Sequence, residues 1–284
     1  MESNLEKMVQ KGKIRLIPEV LFLDGPTNMA VHEYLTTLEQ PALVISHFVP
    51  PAVTFGKGVH VDSLPELCRK GTIAAVRRKT GGEILYHART DVTYAFTGMT
   101  EDTELNVTKA KLFSIRCLIN GLDRIGLTTY SRRGTSIFVR VGDKYKKISG
   151  SAPLQDVGRP FMIHGSIFYD KPDFELLSKL YGYSVQELQD YITWVRAHKD
   201  VSVESVHEAV RIGFLHGRQY EARSLDRYDW GKIEKIAKKF ASGDHYRGTG
   251  TERPGQACAM THGSHEELKD IAPKYIPKER IIDE

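Results

Sequence analysis

The sequence predicts an α+β fold, a mixed and largely antiparallel sheet flanked by helices. Three observations carry this expectation. Strand-like runs and helical periodicities do not alternate in the strict βαβ order of a parallel-sheet protein. Short extended runs between residues 41 and 97 follow one another with Gly and Pro punctuation close enough for tight connections. Beyond residue 170 the apolar spacing is helical in four successive stretches.

Residues 14–23, IRLIPEVLFL, read as a strand. A helix over 28–38 follows, its start signalled by Pro26 and Thr27, with Met29, Val31, Tyr34, Leu35 and Leu38 on its apolar side. Residues 41–48 and 53–56 read as short extended pieces around Pro50-Pro51. Two strand-like runs, 73–78 and 84–87, are joined by Lys79-Thr80-Gly81-Gly82-Glu83, and 92–97 is another strand, so the stretch reads as a meander. Leu112, Ile115, Leu118, Leu122 and Ile125 recur every three or four residues, an amphipathic helix over 107–125 that Gly126 ends. Strands return at 136–141, 147–149 and 161–170, and helices over 174–181, 184–195, 205–215 and 230–240 close the chain. One compact domain over 1–220 with a helical and loop appendage over 221–284 is expected.

Composition bounds the function. With 284 residues, 40% apolar, the chain can bury a core without staples, which excludes collagen-like, disordered and disulfide-scaffold classes. Cys68, Cys117 and Cys258 are an odd number without CxxC spacing, so they build neither a disulfide framework nor a four-thiolate zinc site. The first thirteen residues, MESNLEKMVQKGK, carry both signs of charge and no apolar stretch, and nothing later approaches a membrane span, so a cytoplasmic protein without a membrane partner is expected. A net charge of +4 is too weak to argue nucleic-acid binding, despite a basic cluster between residues 132 and 147.

Three segments could carry chemistry. In Arg77-Arg78-Lys79-Thr80-Gly81-Gly82-Glu83-Ile84-Leu85-Tyr86-His87, three cations precede a glycine pair. Glycines let phosphates approach backbone N–H groups while guanidiniums neutralise them, and the same pair equally suits a hairpin turn with solvated arginines. In Lys146-Lys147-Ile148-Ser149-Gly150-Ser151-Ala152 a lysine precedes small residues, which leave a ligand room beside an ammonium. Lys147 alone reads as well as an exposed strand lysine. Residues 161–170 alternate, with Phe161, Ile163, Gly165, Ile167 and Tyr169 on one face and Met162, His164, Ser166 and Phe168 on the other. His164 then points at a site or is a satisfied core histidine.

Together these segments resemble the lipoate–protein ligase and octanoyltransferase family, whose fold is shared with biotin protein ligases. The resemblance runs from about Leu16 to Phe214. It rests on Asn28-Met29-Ala30 with Glu33, on Arg77-Arg78-x-x-Gly81-Gly82 with His87, on Lys147-x-x-Gly150-Ser151-Ala152, and on His164-Gly165-Ser166. It implies a glycine-rich segment that cradles a lipoyl or octanoyl group and, in ligases, the nucleotide. Lys147 falls on the family's catalytic lysine, His164 on its site histidine, and Arg78 and His87 on pocket-lining residues. Gly81, Gly82, Glu83, Tyr86, Asp91, Gly150, Ser151 and Ala152 complete the implied substrate and nucleotide site.

There are departures. Glu83 stands in place of a third glycine, Thr90-Asp91 in place of Gly-Asn, and Thr135-Ser136 in place of an Asn-Asp pair that helps hold metal and nucleotide. The family's cysteine-dependent octanoyltransferases carry their nucleophile fifteen positions before the lysine, and 147 − 15 = 132 is an arginine here. Guanidinium cannot replace a thiolate. Cys117 reads as core and Cys68 as a helix-surface thiol, leaving Cys258 with His262 nearby as the one candidate displaced nucleophile.

The first expectation is therefore an ATP- and Mg2+-dependent ligase. It would convert lipoate or octanoate to an acyl-adenylate and pass the acyl group to a lysine of a lipoyl carrier domain or glycine-cleavage H-like protein. The alternatives are an acyl transferase working between carriers through an enzyme thioester, and a non-catalytic acyl- or carrier-binding protein. Biotin ligation is more remote, since the Gly-Arg-Gly-Arg stretch of that relative is missing. The segment after Trp230 does not resemble the accessory domain of two-domain lipoate ligases, so ligation would call for a separate small accessory chain. No metal ligands are assigned.

Overall fold

The computed structural model describes residues 13–98, 107–132, 136–154, 160–241 and 276–282. Among these, a nine-stranded sheet carries the fold. Its strands are β1 (Ile14–Leu23), β2 (Ala42–Phe48), β6 (Val92–Gly98), β7 (Tyr130–Arg132), β8 (Ser136–Val141), β9 (Lys144–Leu154), β10 (Phe161–Ile167), β11 (Tyr220–Ala222) and β12 (Ile281–Ile282). The order is β11-β1-β2-β6-β10-β9-β8-β7-β12, antiparallel from β2 to β7 and parallel at both margins. The α+β expectation holds.

A second, three-stranded sheet corrects the meander. Its strands are β3 (Ala52–Phe55), β4 (Ala74–Arg77) and β5 (Ile84–His87), in the order β4-β3-β5. β3 is inserted between the two runs, parallel to β4 and antiparallel to β5, and β6 belongs to the large sheet. Lys79-Thr80-Gly81-Gly82-Glu83 is therefore no hairpin turn. It folds back onto the end of β3, where the N–H of Gly56 donates to the Glu83 carbonyl and that of Lys57 to the Thr80 carbonyl.

Helices cover the large sheet on both faces. On one, α3 (Val107–Arg124) and α6 (Val203–Leu215) pack over Tyr94, Phe96 and Phe161, with Phe113 and Phe214 closing an aromatic cluster. Gly121 and Gly213 bring the two helix backbones together, since a Cβ on either would strike a carbonyl of the other helix. On the opposite face, α1 (Gly25–Leu35), capped by the Asp24 carboxylate, lies against Ala42, Val44 and Ala95 with α7 (Arg227–Ala241). The short α2 (Glu66–Arg69) backs the small sheet, and α4 (Phe174–Tyr181) and α5 (Val185–Tyr191) form a satellite core around Leu177, Leu188 and Ile192.

The 220/221 junction falls within β11, which pairs with β1. The segment after it is tied to the rest by a buried cluster. The Asp229 carboxylate of α7 accepts from the Arg15 guanidinium of β1, the Tyr34 hydroxyl of α1 and the Asp226 N–H, while Arg15 also donates to the Ser224 carbonyl at 2.6 Å. Burial would raise the Asp229 pKa, but these donors outweigh it and hold it at about 2. Among the described residues no helix is long and apolar enough to cross a membrane.

Candidate functional site

The site is built where the second face of β9 and β10 meets the small sheet. On β10 the alternation is as read: Phe161, Ile163 and Ile167 enter the helix-covered core, while His164 and Ser166 hydrogen-bond across to the 79–87 segment. β9 presents Gly150 opposite Ser166 and Ala152 opposite His164, so the smallest side chains lie beside the polar ones. Its register with β8 slips between Ile137 and Phe138, which leaves Ser149 opposite Ile137 and Lys147 opposite Phe138. Such a bulge re-aims the side chains on one side of it. It brings Lys147 and Gly150, three positions apart, to the same face: a Cβ at Gly150 would lie 3.5 Å from the Lys147 Nζ. Lys147 is only 8% exposed, which overturns the exposed-strand reading.

The glycine segment is held by an internal arginine. Arg78, buried, donates to the Gly81 carbonyl (2.9 Å), the Glu83 carbonyl (2.8 Å) and the Thr54 hydroxyl (3.2 Å). Gly82 has φ +88°, a left-handed conformation that other residues adopt only at a cost. Glu83 enters the arrangement through its backbone carbonyl. The Thr54 hydroxyl, which accepts from Arg78, lies 2.8 Å from His87 Nε2, and His87 Nδ1 lies 2.8 Å from the Ser166 hydroxyl, so the ring is hydrogen-bonded at both nitrogens. Phe48 stacks on His87 at 4.1 Å. Burial, with Arg78 and His32 nearby, pushes the His87 pKa well down, so the ring is neutral.

At one end of this row a cleft is lined by Met29, His32, Glu33, Arg78, Lys79, Leu154, Met162, His164 and Phe240, the last from α7. His164 lies 2.8 Å from the Thr80 hydroxyl and, through Nδ1, 3.2 Å from His32 Nδ1. Lys79 pairs with Glu33 at 2.6 Å. Burial holds both histidines neutral, His32 at about 3 and His164 well below its ordinary value, with neighbouring His32, Arg78 and His87 acting the same way on His164. At the other end a cavity of about 30 Å³ is lined by Lys147, Asp91, Tyr86, Phe168, Tyr181 and Ile192 among others. Asp91 accepts from the Ala88 N–H at 3.0 Å, and burial pushes its carboxyl up to about 8. Burial first, then Asp91 and Asp173, raises the Tyr86 phenol.

The fold thus gathers Arg78, Gly81, Gly82, Glu83, Tyr86, His87, Asp91, Lys147, Gly150, Ala152 and His164 around one surface. Ser151 is the exception. It is paired with Gly165 and turned to the Tyr94 hydroxyl on the opposite face of β9, because strand residues alternate. Cys68 is also corrected: the single turn of α2 presses it into the small-sheet core, where burial pushes its thiol up to about 11. Cys117 is buried in the helix core as read. Cys258 and His262 lie outside the described residues. Sequence reasoning missed His32, Thr54, Thr80 and Phe240. His32 had a readable signal, since it follows Met29 by three positions and so shares its helix face. Among the described residues no group of three His, Cys, Asp or Glu is placed to hold a metal ion.

No curated protein sequence matches the chain. Its fold is similar to the bi-partite lipoate protein ligase of Thermoplasma acidophilum, at 19% identity and TM-score 0.71, covering 84% of this chain and 96% of that one. It is also similar to lipoate-protein ligase A bound with ATP, at 20% identity and TM-score 0.68, with 80% and 95% covered. P. falciparum LipL1 in complex with lipoate matches at 16% identity and TM-score 0.63, with 83% and 74% covered. The family model for the lipoyl protein ligase A/B catalytic domain matches residues 24–215, well over half of the chain. With the fold in agreement, the chain belongs to the lipoyl protein ligase A/B catalytic domain family.

Proposed function

We propose that the protein is a lipoate–protein ligase. A carboxylate oxygen of lipoate or octanoate attacks the α-phosphate of ATP and pyrophosphate leaves. The amine of a lysine on a lipoyl carrier domain then attacks the acyl carbon and AMP leaves. The observation that carries the reading is the row along β9 and β10, with a cleft at one end lined by Met29, Leu154, Met162 and Phe240 together with charged and polar side chains, and at the other a cavity lined by Tyr86, Phe168, Tyr181 and Lys147, whose ammonium lies beside Gly150. Leu154 and Gly150 are four strand residues apart, about 13 Å at the usual rise, a reach that suits an octanoyl-length chain. In this reading the acyl tail lies along Leu154, Ala152 and Gly150. The nucleotide base enters between Tyr86, Phe168 and Tyr181. The reacting carboxyl carbon and α-phosphate meet beside Lys147, where an ammonium stabilises charge building on both. Similar proteins bind ATP and lipoate, and the T. acidophilum ligase is paired with an E2 lipoyl domain, which supports ATP, lipoate and a carrier as participants. No residue is assigned to magnesium. The domain over 1–220 would supply the chemistry, with 221–284 appended to it.

The test is a mixture of the protein with lipoate, ATP, magnesium and a lipoyl carrier domain, read by mass spectrometry. A lipoyl mass on the carrier only when ATP is present supports ligation, and gain without ATP overturns it. Because the T. acidophilum ligase is bi-partite, the reading includes a small accessory chain; lipoyl-AMP formed without carrier modification would call for one. The thioester route needs a reactive thiol, and among the described residues Cys68 and Cys117 are buried. Cys258→Ser should therefore leave ATP-dependent modification intact, whereas loss of activity with a trapped acyl-Cys258 in the parent protein would establish the transferase.

A further inference from the structure

Two buried histidines that line neither the cleft nor the cavity are joined to each other and to the turn that carries Asp91. His47 follows Leu43 and Ile45 on the face of β2 that α6 covers, and its Nε2 lies 2.8 Å from Nε2 of His207 on that helix. The two rings meet at 74° with centroids 5.0 Å apart, an edge-on approach that suits an N–H···N hydrogen bond. The other ring nitrogen of His47, Nδ1, lies 3.2 Å from the Arg89 carbonyl. A carbonyl only accepts, so His47 Nδ1 carries a hydrogen and donates it. Burial pushes both rings below the ordinary histidine range, His207 to about 4 with His47 and Arg211 acting the same way, so both are neutral at pH 7. The ring is also held from behind: Phe22 stacks on it at 5.0 Å, and buried Asn28 donates to the His47 carbonyl (3.3 Å) while accepting from the Ser46 hydroxyl (2.9 Å).

The turn that His47 reaches is closed on itself. The Asp91 N–H donates to the Ala88 carbonyl at 3.1 Å, and the Asp91 carboxyl accepts from the Ala88 N–H at 3.0 Å. Ala88 and Asp91 line the cavity with Lys147, whereas Arg89 and Thr90 are exposed. We propose that His47 is a positioning residue: its Nδ1–H pins the Arg89 carbonyl and so holds the Asp91 carboxyl at the wall of the Lys147 cavity, with His207 bracing the ring from α6. The proposal rests on the acyl-activating reading and adds a support to it from a helix on the opposite face of the sheet. Without the pin, the exposed Arg89 peptide turns toward water and Asp91 shifts with it. Displacements of about 1 Å among reacting groups cost up to ~10² in rate. The acyl cleft lies at the other end of the row, so acid binding there does not depend on His47.

Three measurements on the full chain test it: the rate of lipoyl-AMP formation at saturating ATP, the Kd for lipoate by calorimetry, and amide hydrogen exchange of the peptide spanning residues 88–91. His47→Phe keeps the stack on Phe22 and removes both nitrogens. It should slow adenylate formation about tenfold or more, leave the lipoate Kd within about twofold and speed exchange in the turn. His47→Asn places an amide N–H near the position of Nδ1 and should recover the rate to within about threefold of wild type. If His47→Phe does not fold, His47→Gln is read in its place, because its longer amide reaches towards His207 rather than Arg89. A wild-type rate or unchanged exchange in the folded Phe or Gln variant overturns the proposal, as does His47→Asn as slow as that variant, or a loss of lipoate affinity as large as the loss of rate. Wild-type protein that forms no lipoyl-AMP overturns the acyl-activating reading, and the exchange comparison then still decides whether His47 pins the turn.

Discussion

Two adjacent glycines should respond oppositely to the same substitution. Gly82 has φ +88°, and a Cβ there would lie 2.7 Å from an Arg78 guanidinium nitrogen. Holding an alanine in that conformation costs about 1–2 kcal/mol. The guanidinium must also give way, weakening its hydrogen bonds to the Gly81 and Glu83 carbonyls, and bonds to charged groups contribute about 1.5–3 kcal/mol each. Gly82→Ala should therefore lose about 2.5–5 kcal/mol of stability if one such bond is lost, and acyl binding should fall with it because Arg78 lines the cleft. A Cβ on Gly81 meets nothing within 4 Å, so Gly81→Ala should stay within about 0.5 kcal/mol of the parent. Urea unfolding measures both stabilities and calorimetry with lipoate measures both affinities. Equal effects at the two positions would show that the segment is a pliable turn and that Arg78 does not hold it.

Other expectations concern charge. Lys147→Ala should lower turnover about 10²–10³-fold, the usual loss for one preorganised donor, with Lys147→Met as the volume-matched control, while Lys146→Ala, whose amine donates to the Gln189 carbonyl, should change it less than tenfold. Asp91 keeps its proton in the native state up to about pH 8, whereas the unfolded chain releases it near 4. The native state then holds one more proton than the unfolded state across that window, so this group's contribution makes stability fall as pH rises, by about 1.4 kcal/mol per unit, and level off above about 8. Melting curves at pH 5 to 9 should show a shallower decline in Asp91→Asn. Asp229→Ala leaves the buried Arg15 charge without its carboxylate and should cost about 3–5 kcal/mol in urea unfolding.

Local pattern in this chain was readable and pairing was not. The helices over Val107–Arg124 and Phe174–Tyr181 and the strands Ser136–Val141 and Ile84–His87 follow from apolar spacing and end signals that lie within each segment. The failed meander shows the boundary. The five residues from Lys79 to Glu83 suit a hairpin by length, but β3 pairs with both flanking strands, and no feature of the 73–87 run announces a partner some twenty residues upstream. β7, β11 and β12 were missed because runs of two or three residues carry no period, and their stability comes from the sheet margin they join.

The site separates the same way, and the separation explains why Lys147 read ambiguously. A lysine at a strand position is ordinarily solvated, and nothing in Lys-Lys-Ile-Ser-Gly states which of the two amines is inside. The structure resolves it with the register slip at Ile137 and Phe138, which depends on β8 rather than on β9 alone. Of the two neighbours, Lys147 is then buried against Gly150, and Lys146 reaches the Gln189 carbonyl in an exposed contact. His32 reaches His164 for a comparable reason. Its position on α1 was readable, but its partner stands 132 residues away on β10. Motifs spaced along the chain therefore identify groups that converge, whereas the contact between His32 and His164 exists only once α1 has been laid across the sheet.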